Sequence, residues 1–170
     1  MELEPDHWVT LDAHLAAANW LPPRHVTLTV GTLVDPGDVV EAFTEYEPAE
    51  STTWQSFLLT AANLVFVSIR YDTDHYDRDE ESSPWRRTNP PAMTINAAWS
   101  RPLRTITGFH VTEVGDTVVN EFGQAWFRTT SHLSFADGTV LALPNEQRIH
   151  RAGVRAQAAK FIAALRSLIV

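Results

Sequence analysis

The run Asp72-Thr73-Asp74-His75-Tyr76-Asp77-Arg78-Asp79-Glu80-Glu81 holds the densest set of groups that could bind a metal or move a proton. Alternating acids suit calcium, which takes about six to eight oxygen ligands. The EF-hand order nevertheless fails. Tyr76 stands where a third oxygen ligand belongs, Asp77 replaces the glycine, and the twelfth position is Ser83. His75 has no second histidine near it in sequence, so a transition metal lacks a ligand pair. The expected state is a solvated acidic loop, with no metal and no cofactor.

Ser82-Ser83-Pro84-Trp85-Arg86-Arg87 follows directly. Tryptophan and arginine dominate interface hot spots because they bury large areas and keep directional hydrogen bonds. Tyr76, Trp85, Arg86 and Arg87 are therefore the candidate partner contacts. The plainer reading is nevertheless the expected one: Trp85 folds back onto the body and its arginines pair with the preceding acids.

The seven histidines, at 7, 14, 25, 75, 110, 132 and 150, are dispersed. His110 and His132 both fall in expected strands and could approach each other. No Gly-x-Ser-x-Gly elbow, His-Glu-x-x-His helix or phosphate-cradling glycine loop occurs. No catalytic residue is assigned, and the chain is read as a non-enzyme. Six tryptophans are many for 170 residues; Trp54, Trp99 and Trp126 lie in expected strands and are assigned to the core.

These groups need elements to hold them. Trp8, Leu11, Leu15 and Ala18 recur at helical spacing, predicting a helix over 5–20 that ends at Pro22-Pro23. Residues 24–34 fit a strand and a helical face equally, and Asp35-Pro36-Gly37-Asp38 is a turn. Strands are predicted over 39–47, 54–60, 64–71, 93–99, 103–114 (bent at Gly108), 124–135 and 140–143. The stretch 64–71 is apolar on both faces, as in a strand buried on both sides. Residues 72–92 form a long loop, of the kind that is usually functional or disordered. Asp137-Gly138 is the sharpest hairpin signal. A final amphipathic helix spans 150–168, carried by Val154, Ala158, Phe161, Ile162, Leu165 and Leu168.

A length of 170 residues suits one core, and 44% hydrophobic with 20% charged residues lets it form without crosslinks. The absence of cysteine removes disulfides, thiolate metal sites and a cysteine nucleophile. The acidic start does not read as a secretory signal and no apolar run is long enough to cross a bilayer, so a cytoplasmic location is expected. With a net charge of -8 and bases clustered only at Arg86-Arg87, neither nucleic acid nor anionic membrane is an expected partner.

The stretch Phe57-Leu58-Leu59-Thr60 to Asn63-Leu64-Val65-Phe66-Val67 resembles a strand, turn and hydrophobic strand of bacterial pleckstrin-homology-like domains. Pro102-Leu103-Arg104-Thr105-Ile106-Thr107 looks like the strand that follows. Leu133-Ser134-Phe135-Ala136-Asp137-Gly138-Thr139-Val140 is similar to their final hairpin, and 156–168 to their closing helix. The resemblance covers 38–168. It implies an α+β, mostly β fold: a seven-stranded, strongly bent antiparallel sheet, a pleckstrin-homology-like barrel, capped by the C-terminal helix. Residues 1–37 would add an N-terminal helical extension, and 38–170 would form the barrel domain.

What the resemblance implies for function is binding rather than chemistry. Phosphoinositide-binding members use bases around the first hairpin loop. Here Glu45-Tyr46-Glu47-Pro48-Ala49-Glu50 carries three acids and no base, so that role does not transfer. The leading expectation is a non-catalytic module binding a protein partner through 72–92. The alternative is a carrier or enzyme holding a small apolar molecule between sheet and helix, lined by Trp126, Phe109 and Trp99. A third places the chain in an assembly, the N-terminal helix docking onto a neighbour, and a homo-oligomer fits either binding reading.

Overall fold

The computed structural model describes residues 4–119, 123, 125–144 and 152–169. It is an α+β protein made mostly of strands. The chain forms two compact units, 1–101 and 102–170.

The first unit opens with α1 (Pro5–Leu15), which starts on a proline and buries Leu11 and Leu15. The predicted helix over 5–20 stops five residues early. Ala16 turns extended, Ala18 takes a left-handed φ of 56°, and Ala17 pairs with Trp20 in an isolated bridge. Pro22 and Pro23 keep α1 from running on, and the turn swings Trp20 toward Tyr46 of the sheet. The ambiguous 24–34 segment contains α2 (Arg24–Gly31), with Val26, Thr27 and Val30 buried.

Strands β1 (Glu41–Glu47), β2 (Thr52–Leu59), β3 (Asn63–Tyr71) and β4 (Met93–Pro102) form a sheet in chain order. The β1–β2 register sets Tyr46 opposite Trp54 and Thr44 opposite Ser56. The β2–β3 register sets Phe57 opposite Phe66 and Leu58 opposite Val65. Both faces of β3 are buried, as its apolar composition predicts. Trp54, Leu58, Val65, Val67, Ile69 and Tyr71 pack with Leu11, Leu15, Val26 and Val30 of the helices. On the other face, Phe66 stacks between Phe57 at 4.8 Å and Trp99 at 5.5 Å.

The second unit carries β5 (Ile106–Val119), β6 (Ala125–Phe135) and β7 (Val140–Ala142) as one antiparallel sheet, then α5 (Ala152–Leu168). Gly138, at φ 82°, closes the β6–β7 hairpin. The expected bend at Gly108 is a register shift between Ile106 and Gly108. A Cβ at Gly108 would meet His110 Nε2 at 2.5 Å, so only glycine leaves room for that ring. The His110 ring stacks on His132, its register partner, at 4.7 Å and 17°. Ser131, Leu133 and Phe135 are buried on the face their alternation predicts, and α5 buries Ala158, Phe161 and Leu165.

The expectation of seven strands in one bent, closed barrel is corrected. Among the described residues there are two sheets, of four and three strands, and no closed barrel. Pro102 brings no N–H, and a 3-10 turn over Leu103–Thr105 interrupts extended backbone where one sheet would have continued. At the far end Pro144 follows the short β7, which pairs through three residues with β6 alone.

Candidate functional site

The 72–92 segment, predicted as an acidic loop, contains two short helices and is tied down throughout. Asp72 N–H donates to Ala92 O (2.9 Å), joining the two ends of the segment. Asp77 accepts from Glu80 N–H and starts α3 (Arg78–Ser82). Ser83 accepts from Arg86 N–H and, with Pro84 behind it, starts α4 (Pro84–Thr88). Each acid-to-cap step is a local signal, the Asp or Ser three residues ahead of the bonded amide.

Three anchors fasten this segment to the sheet and helices. In the first, Trp54 Nε1 donates to the Tyr76 carbonyl at 2.7 Å. In the second, Arg78 donates to both Asp12 carboxylate oxygens, at 3.0 and 2.9 Å, to Thr27 Oγ1 and to the Pro22 carbonyl. Its guanidinium also lies 5.6 Å from the Trp8 ring. In the third, the Glu81 carboxylate accepts from Arg24 N–H. Pro23 has no capping side chain, so Glu81 satisfies the first free amide of α2 from outside.

Beside these anchors runs a polar chain of Tyr46, His75 and Asp77. The Tyr46 hydroxyl bonds His75 Nδ1, and His75 Nε2 lies 3.5 Å from Asp77 Oδ2. Burial first, then the Asp77 charge, push the Tyr46 phenol up to about 12. Which of the two donates follows the imidazole tautomer, and the other ring nitrogen faces Asp77. Trp20 sets its ring edge-to-face against His75 at 5.2 Å, and Trp54 lies 4.5 Å from Tyr46. The order phenol, imidazole, carboxylate mimics a triad, but its leading group is held protonated and is a poor nucleophile. Its visible effect is to lock β1, the turn before α2 and the start of the 72–92 segment together.

Tyr71 and Tyr76 are shifted the same way, chiefly by burial and then by Glu81. Since unfolded tyrosine ionises near 10, the unfolded chain gives up these protons first as pH rises. Stability is therefore expected to hold below pH 10 and to fall between 10 and about 12. Urea midpoints measured across that range should decline less steeply in Tyr46→Phe than in the parent. Equal slopes would show that Tyr46 titrates as freely in the folded chain as in the unfolded one.

The candidate contacts divide sharply. Tyr76 is inside, 4% exposed, its ring 4.6 Å from Tyr71. Arg86 lies over that ring at 5.9 Å and donates to Thr73 Oγ1 at 2.8 Å and to Glu80 at 3.4 Å. Trp85 stands out at 67% exposed, contrary to the expectation that it folds inward. Arg87 is exposed as well and forms no ion pair among the described residues. Arg86 is thus a support, and Trp85 with Arg87 is what α4 presents.

The other candidates are placed as follows. Asp72 pairs with Arg70, Glu80 with Arg86 and Glu81 with Arg24, so much of the acidic run is matched by bases of its own unit. No three His, Asp or Glu side chains converge as metal ligands do among the described residues. Trp54 is fully buried, while Trp99 is half-buried beneath the Arg101 guanidinium at 4.9 Å. Phe109 is covered by Arg166 at 5.7 Å, and the Trp126 side chain lies outside the described residues. No described helix is long and apolar enough to cross a membrane.

Fold and site together define a mostly-strand α+β protein in which a braced surface segment displays one tryptophan and one arginine. No family model, curated protein or solved structure matches the chain.

Proposed function

We propose that this chain is a non-catalytic protein-interaction module, cytoplasmic and of pleckstrin-homology-like type, that docks a protein partner on the outward face of α4. One observation carries the reading: an indole left 67% in water on a helix whose opposite side is rigidly seated. Exposed tryptophan is costly to leave unpaired with apolar surface, and a pre-set anchor loses little entropy on binding. Trp85 would fill an apolar pocket, and Arg87 would meet a carboxylate at its rim. Among the described residues, seven strands in two antiparallel sheets precede a last helix, and that order of strands before helix is what supports the resemblance. Glu45 and Glu47 at the end of β1 and Glu50 in the turn that follows, with no base among residues 45–50, speak against phosphate-bearing partners.

The test compares affinity capture by the parent chain and by Trp85→Ala/Arg87→Glu. Both side chains are exposed, so the variant's thermal midpoint should stay within about 2 °C of the parent. Loss of the parent's specific captured protein is expected, along with salt-weakened capture by the parent. An unchanged captured set would remove α4 as the contact.

A further inference from the structure

His110 of β5 and His132 of β6 are direct register partners, and their rings stand stacked with centroids 4.7 Å apart and planes at 17°. Neither ring forms a hydrogen bond or ion pair among the described residues. His110 is exposed and His132 partly so, while Ser131, Leu133 and Phe135 on the opposite face of β6 are buried. The backbone is irregular on both sides of the pair. Register shifts fall between Ile106 and Gly108 and between Val111 and Glu113, and such bulges often re-aim side chains at functional sites. Gly108, two residues before His110, leaves open the space where a Cβ would meet the imidazole Nε2. Thr130, two residues from His132 and so on its face of the strand, has a buried Oγ1 with no hydrogen-bond partner among the described residues. A buried hydroxyl left unpaired calls for a water or an ion beside it.

We propose that His110 and His132 form a two-histidine site for a divalent transition-metal ion, on the face of β6 opposite its buried residues. The ligand chemistry selects the ion. Two imidazoles without a thiolate suit zinc, nickel(II) or copper(II), whereas calcium and magnesium demand oxygen ligands. Facing Cβ atoms in antiparallel strands lie about 4.5–5.5 Å apart, which brings both side chains within reach of one ion. Zinc held by nitrogens at about 2.0–2.1 Å needs its two donors roughly 3.3 Å from each other in a tetrahedral site. Rings stacked 4.7 Å apart reach that separation when their nitrogen-bearing edges lean together, and the glycine at 108 gives the His110 ring room to turn. Water takes the remaining coordination positions, and the Thr130 hydroxyl on the same face can bond one such water. Glu113, opposite Thr130 in register, brings a carboxylate to that face, and the net charge of -8 favours a cation.

Zinc chloride titrated into the full chain provides the test, read by calorimetry and by the imidazole signals in its NMR spectrum. The signals of His110 and His132 are expected to shift together, at lower zinc than those of His7, His14, His25 or His75. His110→Ala and His132→Ala should each weaken zinc binding by at least about tenfold, since each removes a ligand outright. His7→Ala, an exposed position on α1, should leave the affinity unchanged. Far-UV spectra of all three variants should match the parent's. The parent's own spectrum reads the site even where a variant fails to fold. Millimolar zinc that leaves both signals in place overturns the inference. So does another histidine that responds first, or a folded His110→Ala/His132→Ala chain that binds zinc as tightly as the parent.

Discussion

Trp54→Ala is expected to lower unfolding free energy by about 4 kcal/mol, the range for removing a large aromatic from a closed core. Trp54 has no exposed surface, lies opposite Tyr46 in register and sits among Leu58, Ile69 and the inner faces of α1 and α2. The substitution also strips the Tyr76 carbonyl of its donor. Trp54→Phe separates the two contributions. It keeps most of the ring volume and loses the N–H, so a smaller loss of about 2 kcal/mol is expected. Urea denaturation of both variants provides the measurement. If phenylalanine were as damaging as alanine, the hydrogen bond to Tyr76 would outweigh the packing. If both cost under about 1 kcal/mol, Trp54 would not be the closed-core residue described here.

Arg78→Met should cost about 3 kcal/mol. Arg78 and Asp12 side chains are only 15% and 21% exposed, and the guanidinium uses its fork on both carboxylate oxygens while also holding Thr27 and Pro22. A surface ion pair would be worth far less, since solvent screens it and two long side chains must be fixed. Here the larger penalty is the Asp12 carboxylate left without its cation. Arg78→Met/Asp12→Leu should therefore recover at least about 1 kcal/mol of the loss. Raising salt should barely change the deficit. No recovery in the double variant would mean that the arginine acts mainly through Pro22 and the Trp8 ring.

These two anchors bear on the proposed contact because they hold the segment that carries Trp85. Trp54 grips the segment at Tyr76, and Arg78 holds it against α1 and α2. Weakening either should blur the surface of α4 before the whole chain unfolds, since the segment has little core of its own. Proteolysis inside 78–90 is where such loosening would register.

Local pattern carried much of the architecture. The two-residue period marks β2, β3 and β6, and the helical period marks α5, because both depend on residues a few positions apart. Asp137-Gly138 identified its hairpin because the turn demands positive φ, which glycine alone adopts freely. His110 and His132, placed in strands that could pair, are direct register partners. The periodic signal overran the end of α1, where alanines at 16–18 continue a helical composition through a turn. It could not choose between helix and strand for α2, since eight residues with valines at 26 and 30 satisfy both periods.

The sequence by itself therefore determined that strands outnumber helices, where its punctuated turns fall, that an amphipathic helix follows the last strand, and that Trp85 lies in a polar, proline-flanked segment. Only the tertiary structure decided that the strands divide four and three, that Tyr76 is buried with Arg86 over its ring while Trp85 is exposed, and that Tyr46, His75 and Asp77 meet. The physical reason is range. Backbone preference is set by neighbours along the chain, whereas Arg78 finds Asp12 across 66 residues and Tyr46 finds His75 across 29. Such pairings follow from the path of the backbone and the need to satisfy every charge it buries.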